Sequence, residues 1–473
     1  MDTLPLVLLV VLLLLGLLAI RMPVAFALAL SGAVGLVLLR DFDFTTNMLG
    51  SVPFTETSTF SLTIIPMFIL MGMFAVKARI AEQVYAVAAH AFRRLPGGLG
   101  ISTVMACAGF AAVSGSSIGT AATMSKLSVG EMRKHGYPVP LATATVAVAG
   151  TLGVLIPPSV ILVIYAIMTG ESVAAVLAAG IIPGILSALA YATYIPIAMR
   201  RHGRRVTLPD GGTLDEALSV ASGGSPSTRK VGGRTITQTR AVAVAEPRVR
   251  LRDLPLRGVV RVGILFFIVL GGMYSGIFTP TESAAIGALA AGVFLVIEMW
   301  RDGWTAMRDA LTSALKETAG TTSMVFSIIV GSAVLSMFFI QAKVPQMLTD
   351  GVLELGMNKY LTMGILLLTL IPLGMALESI SILVITVPLL YPVATSLGFD
   401  GVWLAILIVK LIEIGMVTPP VGINCFVVSG TSGVKVDQIF RGVLPFVLID
   451  IAMTTLFFAV PALSLWLPSL IAV

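Results

Sequence analysis

Two apolar segments of this chain each carry a glycine followed four residues later by an adjacent proline pair, "LGVLIPPSV" at 152–160 and "IGMVTPPVGIN" at 414–424. Gly153 and Gly415 lie 262 residues apart, and so do Pro157-Pro158 and Pro419-Pro420. The same register aligns Gly136-Tyr137 with Gly398-Phe399, Gly180 with Gly442 and Pro183 with Pro445, while upstream Pro23 meets Pro280 at a spacing of 257. A proline removes a backbone donor and its ring collides with the carbonyl one turn back, so a proline pair ends α-helical bonding. Glycine beside it tolerates unwound backbone. The chain therefore reads as two copies of one unit, each containing a helix broken at the same place.

The medium around those breaks follows from composition. At 57% hydrophobic and 11% charged residues, with a mean hydropathy of +1.01, the 473 residues do not divide into soluble domains. Apolar runs of about 20 residues, the length that crosses the hydrocarbon, recur from 4–20 onward, and roughly ten to twelve crossings are expected. The first run lacks a basic leader and a small-residue cleavage site and passes directly into 23–39, so it reads as a first helix rather than a signal peptide. Cys107 and Cys425 do not correspond between the copies and read as small buried hydrophobes, not a disulfide.

The net charge of +6 is no nucleic-acid footprint, because from Arg200 to Arg257 there are 12 Lys/Arg against 5 Asp/Glu. Such a loop stays in the cytoplasm. It contains "SVASGGSPSTRKVGGRT" at 219–235, has no apolar period, and reads as a largely disordered or surface-lying linker over 201–256. Residues 1–200 and 257–473 are then the two repeats. Counting from 4–20 inward, 23–39 outward and 60–76 inward brings the chain to Lys77, Arg79, Arg93 and Arg94, in agreement with the charges. Residues 95–136 have basic segments at both ends, a polar tip "SGSSIGTAAT" at 114–123, and arms too short to span. A hairpin entering and leaving on one side is expected there, followed by a broken helix at 139–168. Its counterparts are a hairpin at 360–397, with tip "ALESIS" at 376–381, and a broken helix at 401–429. The second hairpin would dip from the opposite face, so the repeats are inverted. The expected fold is an all-α polytopic membrane protein with two re-entrant hairpins and two broken helices, the arrangement of secondary transporters.

Unwound carbonyls at membrane depth are tolerated where they line a cavity, and there they suit a hard cation such as Na⁺. Hairpin hydroxyls would add oxygens: Ser114, Ser116, Ser117 and Thr120 with Gly150, Thr151 and Gly153 in one half, Ser379 and Ser381 with Gly415 and Thr418 in the other. Half-helix N-termini at the same level offer free N–H groups to a carboxylate. Thr120, Glu378, Pro157, Pro419 and Asn424 are the candidates for that substrate. Glu378, Lys410 and Glu413 are ionisable groups at membrane depth and thus functional candidates, although Lys410 and Glu413, three apart on one helix, could simply neutralise each other. His90, His135 and His202 lie in or beside basic loops, so no histidine dyad or metal cluster forms at the tips and an intramembrane enzyme is not expected.

Together "SGSSIGTAAT" and "EIGMVTPPVGIN" resemble the large membrane subunit of tripartite ATP-independent periplasmic (TRAP) transporters, the DctM-like family, and the likeness extends over nearly the whole chain outside 202–255. It implies a sodium-coupled, elevator-type importer of an organic acid in the bacterial inner membrane. Its partners would be a small four-helix, DctQ-like membrane subunit and a DctP-like periplasmic binding protein, beside membrane lipids, with Na⁺ as coupling ion and no cofactor. By that likeness Ser114, Ser116, Ser117, Gly150 and Gly153 fall at a first sodium site, and Ala376, Ser379, Glu413, Gly415 and Thr418 near a second. The alternative is a stand-alone divalent-anion/sodium symporter of related architecture, which needs no binding protein.

Overall fold

The computed structural model describes residues 3–203, 226–231, 234–239, 255–354 and 358–471. Nearly all of them are helical. Among the described residues nine helices are long and apolar enough to cross a membrane, fewer than the ten to twelve expected. Three expected crossings fall short of that length, Thr3–Ala19, Val24–Leu39 and Gly401–Val417, which close after 17, 16 and 17 residues, while both arms of the second hairpin reach it. Within 201–256, where no regular structure was expected, Pro226–Val231 and Arg234–Thr239 pair as an antiparallel ribbon with Pro226 opposite Thr239, and the two ends belong to the helices Val173–Gly203 and Leu256–Phe266; residues 204–225, 232–233 and 240–254 lie outside the described residues.

One group of helices packs around Trp304–Gln341, a 38-residue helix lying along Val24–Leu39, with Pro280–Met299 against Ile64–Lys77. In lipid, apolar side chains gain little by leaving their surroundings, so association relies on close packing over small residues. Here a Cβ on Gly32 would stand 2.6 Å from the Leu335 nitrogen, and one on Gly331 2.2 Å from the Ala25 carbonyl. Backbones meet only because both positions are glycine.

The second group holds the hairpins and breaks. Gly98–Ser114 turns through Gly115 and Ser116 into Ser117–Met124, which continues to Lys134. The non-helical tip is thus two residues rather than the expected 114–123, because Ser116 caps the second arm by accepting from the Gly119 N–H at 3.2 Å. In the second copy Lys359–Leu368 and Leu370–Ala376 lead through Leu377 and Glu378 into Ser379–Ser396. Both of its arms, at 18 residues each, qualify as spans, so length does not mark this hairpin as re-entrant. Each hairpin ends in a left-handed glycine, Gly136 at φ 76° and Gly398 at φ 77°, the usual stop for a helix.

The first break separates Val139–Ala149 and the short turn Leu152–Leu155 from Val160–Thr169, which Ser159 caps by accepting from the Leu162 N–H at 3.3 Å. The second separates Gly401–Val417 from Ile423–Ser432. Pro157-Pro158 and Pro419-Pro420 are both cis. Every residue of Gly401–Val417 is buried, Lys410 and Glu413 included, and a helix covered on all sides in this way forms the centre of the second group.

Candidate functional site

Each hairpin rests on the break of its own half, and glycine makes the approach possible. A Cβ at Gly153 would lie 2.8 Å from the Ser116 carbonyl and 3.1 Å from Thr120 Oγ1; one at Gly150 would lie 2.9 Å from the Ala121 Cβ. In the second half a Cβ at Gly415 would lie 2.5 Å from the Gly374 Cα. Beyond the breaks the packing crosses over. Val160–Thr169 lies against Ser379–Ser396, and Ile423–Ser432 against Ser117–Met124.

The crossover brings the two tips to one carboxylate. Ser379 Oγ donates to Glu413 Oε1 at 2.9 Å, and Ser117 Oγ reaches the same oxygen at 3.4 Å. Ser117 and Ser379 are themselves 262 residues apart, the first helical residue of each second arm. Glu413 is buried and its Oε2 has no partner, as is true of the buried Glu378 Oε1 and Ser381 Oγ. Unpaired oxygens of this kind are costly unless something binds them, and their chemistry, a carboxylate with hydroxyls and carbonyls, suits Na⁺.

Beside the tips is a cavity of about 420 Å³, lined on one side by Ser114 to Gly119, Glu378 and Ser379, and on the other by helices of the first group, including Glu317 and Thr321. None of these lining residues is Lys, Arg or His. The basic Lys77 close by is engaged with Glu317 at 2.7 Å. An anion there would depend on hydroxyls and on the N-terminal N–H groups of Ser117–Met124 and Ser379–Ser396.

Other candidates fall in different places. Ser114 Oγ and Thr120 Oγ1 bond each other at 2.8 Å. Thr151 and Thr418 direct their hydroxyls to their own helices, at the Val148 and Ile414 carbonyls, 2.7 and 2.6 Å away. Ala376 ends the first arm of the second hairpin. Thr120, Pro157, Pro419 and Asn424 do not line the cavity. Pro157 is buried, Pro419 exposed, and Asn424 is fully buried with neither amide atom paired.

The mutual neutralisation of Lys410 and Glu413 does not occur. Lys410 Nζ instead donates to Asp450 Oδ1 and to Ser187 Oγ at 3.4 Å, and Tyr191 donates to the same Asp450 oxygen at 2.5 Å. Asp450 was missed from the sequence. An acid inside the apolar run Val436–Ala459 carries the same signal that singled out Glu413.

A largely helical, multi-pass arrangement with two breaks and two hairpin tips converging inside defines a membrane transport protein of repeated architecture. The crystal structure of the Alcanivorax borkumensis YdaH transporter has this fold, with a TM-score of 0.57 at 14% identity, covering 93% of this chain and 97% of that one. More specifically, the model of the tripartite ATP-independent periplasmic transporter DctM component matches residues 11–463, and the chain belongs to that family. It is 32% identical over 447 residues to the C4-dicarboxylate TRAP transporter large permease protein DctM of Pseudomonas aeruginosa, covering 94% of each chain. It is 30% identical over 459 residues to the sialic acid TRAP transporter large permease protein SiaM of Vibrio cholerae, covering 96% of this chain and 97% of that one. These relatives are permease subunits, not enzymes, and so is this chain.

Proposed function

We propose that this permease imports an organic acid together with Na⁺ across the bacterial inner membrane, receiving it from a periplasmic binding protein and working with a small membrane subunit. The convergence of Ser117 and Ser379 on Glu413 carries the reading, because it couples a cation-suited carboxylate to both tips that border the cavity. Na⁺ bound at Glu413 would neutralise a buried carboxylate that has no ion-pair partner among the described residues, and the two tips would then close on the carboxylate cargo through N–H and hydroxyl donors. Hairpins entering from opposite faces would bring equivalent serines to one level, and movement of the hairpin group past the Trp304–Gln341 group would carry cargo and ion together, as an elevator. The named cargoes of the relatives, C4-dicarboxylates and sialic acid, support a carboxylate.

Uptake into proteoliposomes containing the chain and its small subunit tests this, with and without binding protein and an inward Na⁺ gradient. Uptake requiring both is expected. Equal uptake in Na⁺-free buffer on a proton gradient would overturn the sodium reading. Transport of free substrate without binding protein would favour the stand-alone symporter.

A further inference from the structure

We propose that Asp450 is a positioning residue for the cation site at Glu413, setting its affinity by holding the Lys410 ammonium away from that carboxylate. This rests on the reading of Glu413 as a cation ligand. Residues three apart on a helix face one another closely enough to pair, and a buried ammonium beside a buried carboxylate would take the place of an incoming Na⁺. Among the described residues no ion pair joins Lys410 to Glu413; the ammonium turns to Asp450 and Ser187. Tyr191 holds Asp450 from the other side. Lys410, Asp450, Tyr191 and Ser187 are all buried, on three different helices, Gly401–Val417, Val436–Ala459 and Val173–Gly203.

The charges then sort into two units. Lys410 and Asp450 cancel, and the negative charge of Glu413, with Oε2 unpaired, is left for a cation. A buried ion pair is a poor stabilising device, since apolar replacements often fold as well. Its value here is where it puts the positive charge. The first repeat supports this, because the positions 262 residues before Lys410, Glu413 and Asp450 are Val148, Thr151 and Ala188. The ion pair is found only in the repeat whose break carries a carboxylate.

The test measures the Na⁺ concentration giving half-maximal thermal stabilisation of the purified chain with its small subunit, in parallel with the Na⁺ dependence of uptake. Asp450→Asn frees the ammonium and should raise that concentration about tenfold. Tyr191→Phe, which keeps every charge but loosens Asp450, should raise it about threefold. Lys410→Met combined with Asp450→Asn leaves no ammonium to compete and should return it to within about twofold of the parent. An unchanged value in Asp450→Asn, or a double variant as weak as the single one, would overturn the proposal. If Asp450→Asn does not assemble, Tyr191→Phe and the double variant decide by the same criteria. A parent chain with no Na⁺ stabilisation would instead overturn the cation reading of Glu413 itself.

Discussion

The two broken helices occupy equivalent positions, yet they offer a cation different chemistry. At the first, the tip supplies hydroxyls: Ser114 bonds Thr120, Ser116 caps its arm, and Thr151 stands where the second repeat has Glu413. At the second, Ala376 replaces Ser114, Glu378 replaces Ser116, and the charge comes from Glu413. Their surroundings differ too: Pro157 and Pro158 are buried, whereas Pro419 and Pro420 are exposed. The two halves share the backbone device, a glycine against a hairpin and a proline pair behind it, because close approach and the loss of helical bonding depend on backbone geometry alone. The side chains around it differ between the halves. The first break presents neutral oxygens, the second a carboxylate that a serine from each tip reaches.

The largest expected effect separates the two directly. Glu413→Gln removes the carboxylate to which Ser117 and Ser379 are bonded and should lower Na⁺-driven uptake about a hundredfold, by the worth of a buried charge-assisted contact. Near-parent uptake and sodium dependence in that variant would leave the charged site without a role. Next come the glycines, which test what the breaks share. Gly153→Val and Gly415→Val must displace neighbours 2.8 and 2.5 Å away, so both should reduce uptake at least about tenfold while inserting and assembling normally. A loss confined to one of them would mean the repeats no longer use the device in the same way.

The serines give a finer reading. Ser379→Ala, losing a 2.9 Å bond to Glu413, should raise the half-saturating Na⁺ concentration roughly fivefold, and Ser117→Ala, losing one of 3.4 Å, about twofold. Equal shifts, or the reverse order, would show that the carboxylate is not held mainly by its own half. The smallest effect belongs to Thr151→Ala. Its hydroxyl is already satisfied by Val148, so sodium dependence should change by less than about twofold. A tenfold shift there would make Thr151 a ligand after all and narrow the contrast between the breaks.

Much of this architecture is legible along the chain. The 262-residue register of Gly and Pro predicts two equivalent breaks, and the chain leaves its helix at both proline pairs, whereas the length of the apolar runs does not mark the second hairpin, whose arms are 18 residues each. These are local consequences of backbone chemistry, which any reader of the sequence can apply position by position. Two things were decided only by packing. Ser117 and Glu413, 296 residues apart, meet because the second tip and the first lie across each other's half-helices, a contact that no spacing encodes. Lys410 had two possible partners, and the helix pattern favoured Glu413 three residues on. The fold supplies Asp450 from another helix, with Tyr191 and Ser187 to hold the pair, and a buried ammonium goes where the most donors and acceptors can be satisfied together.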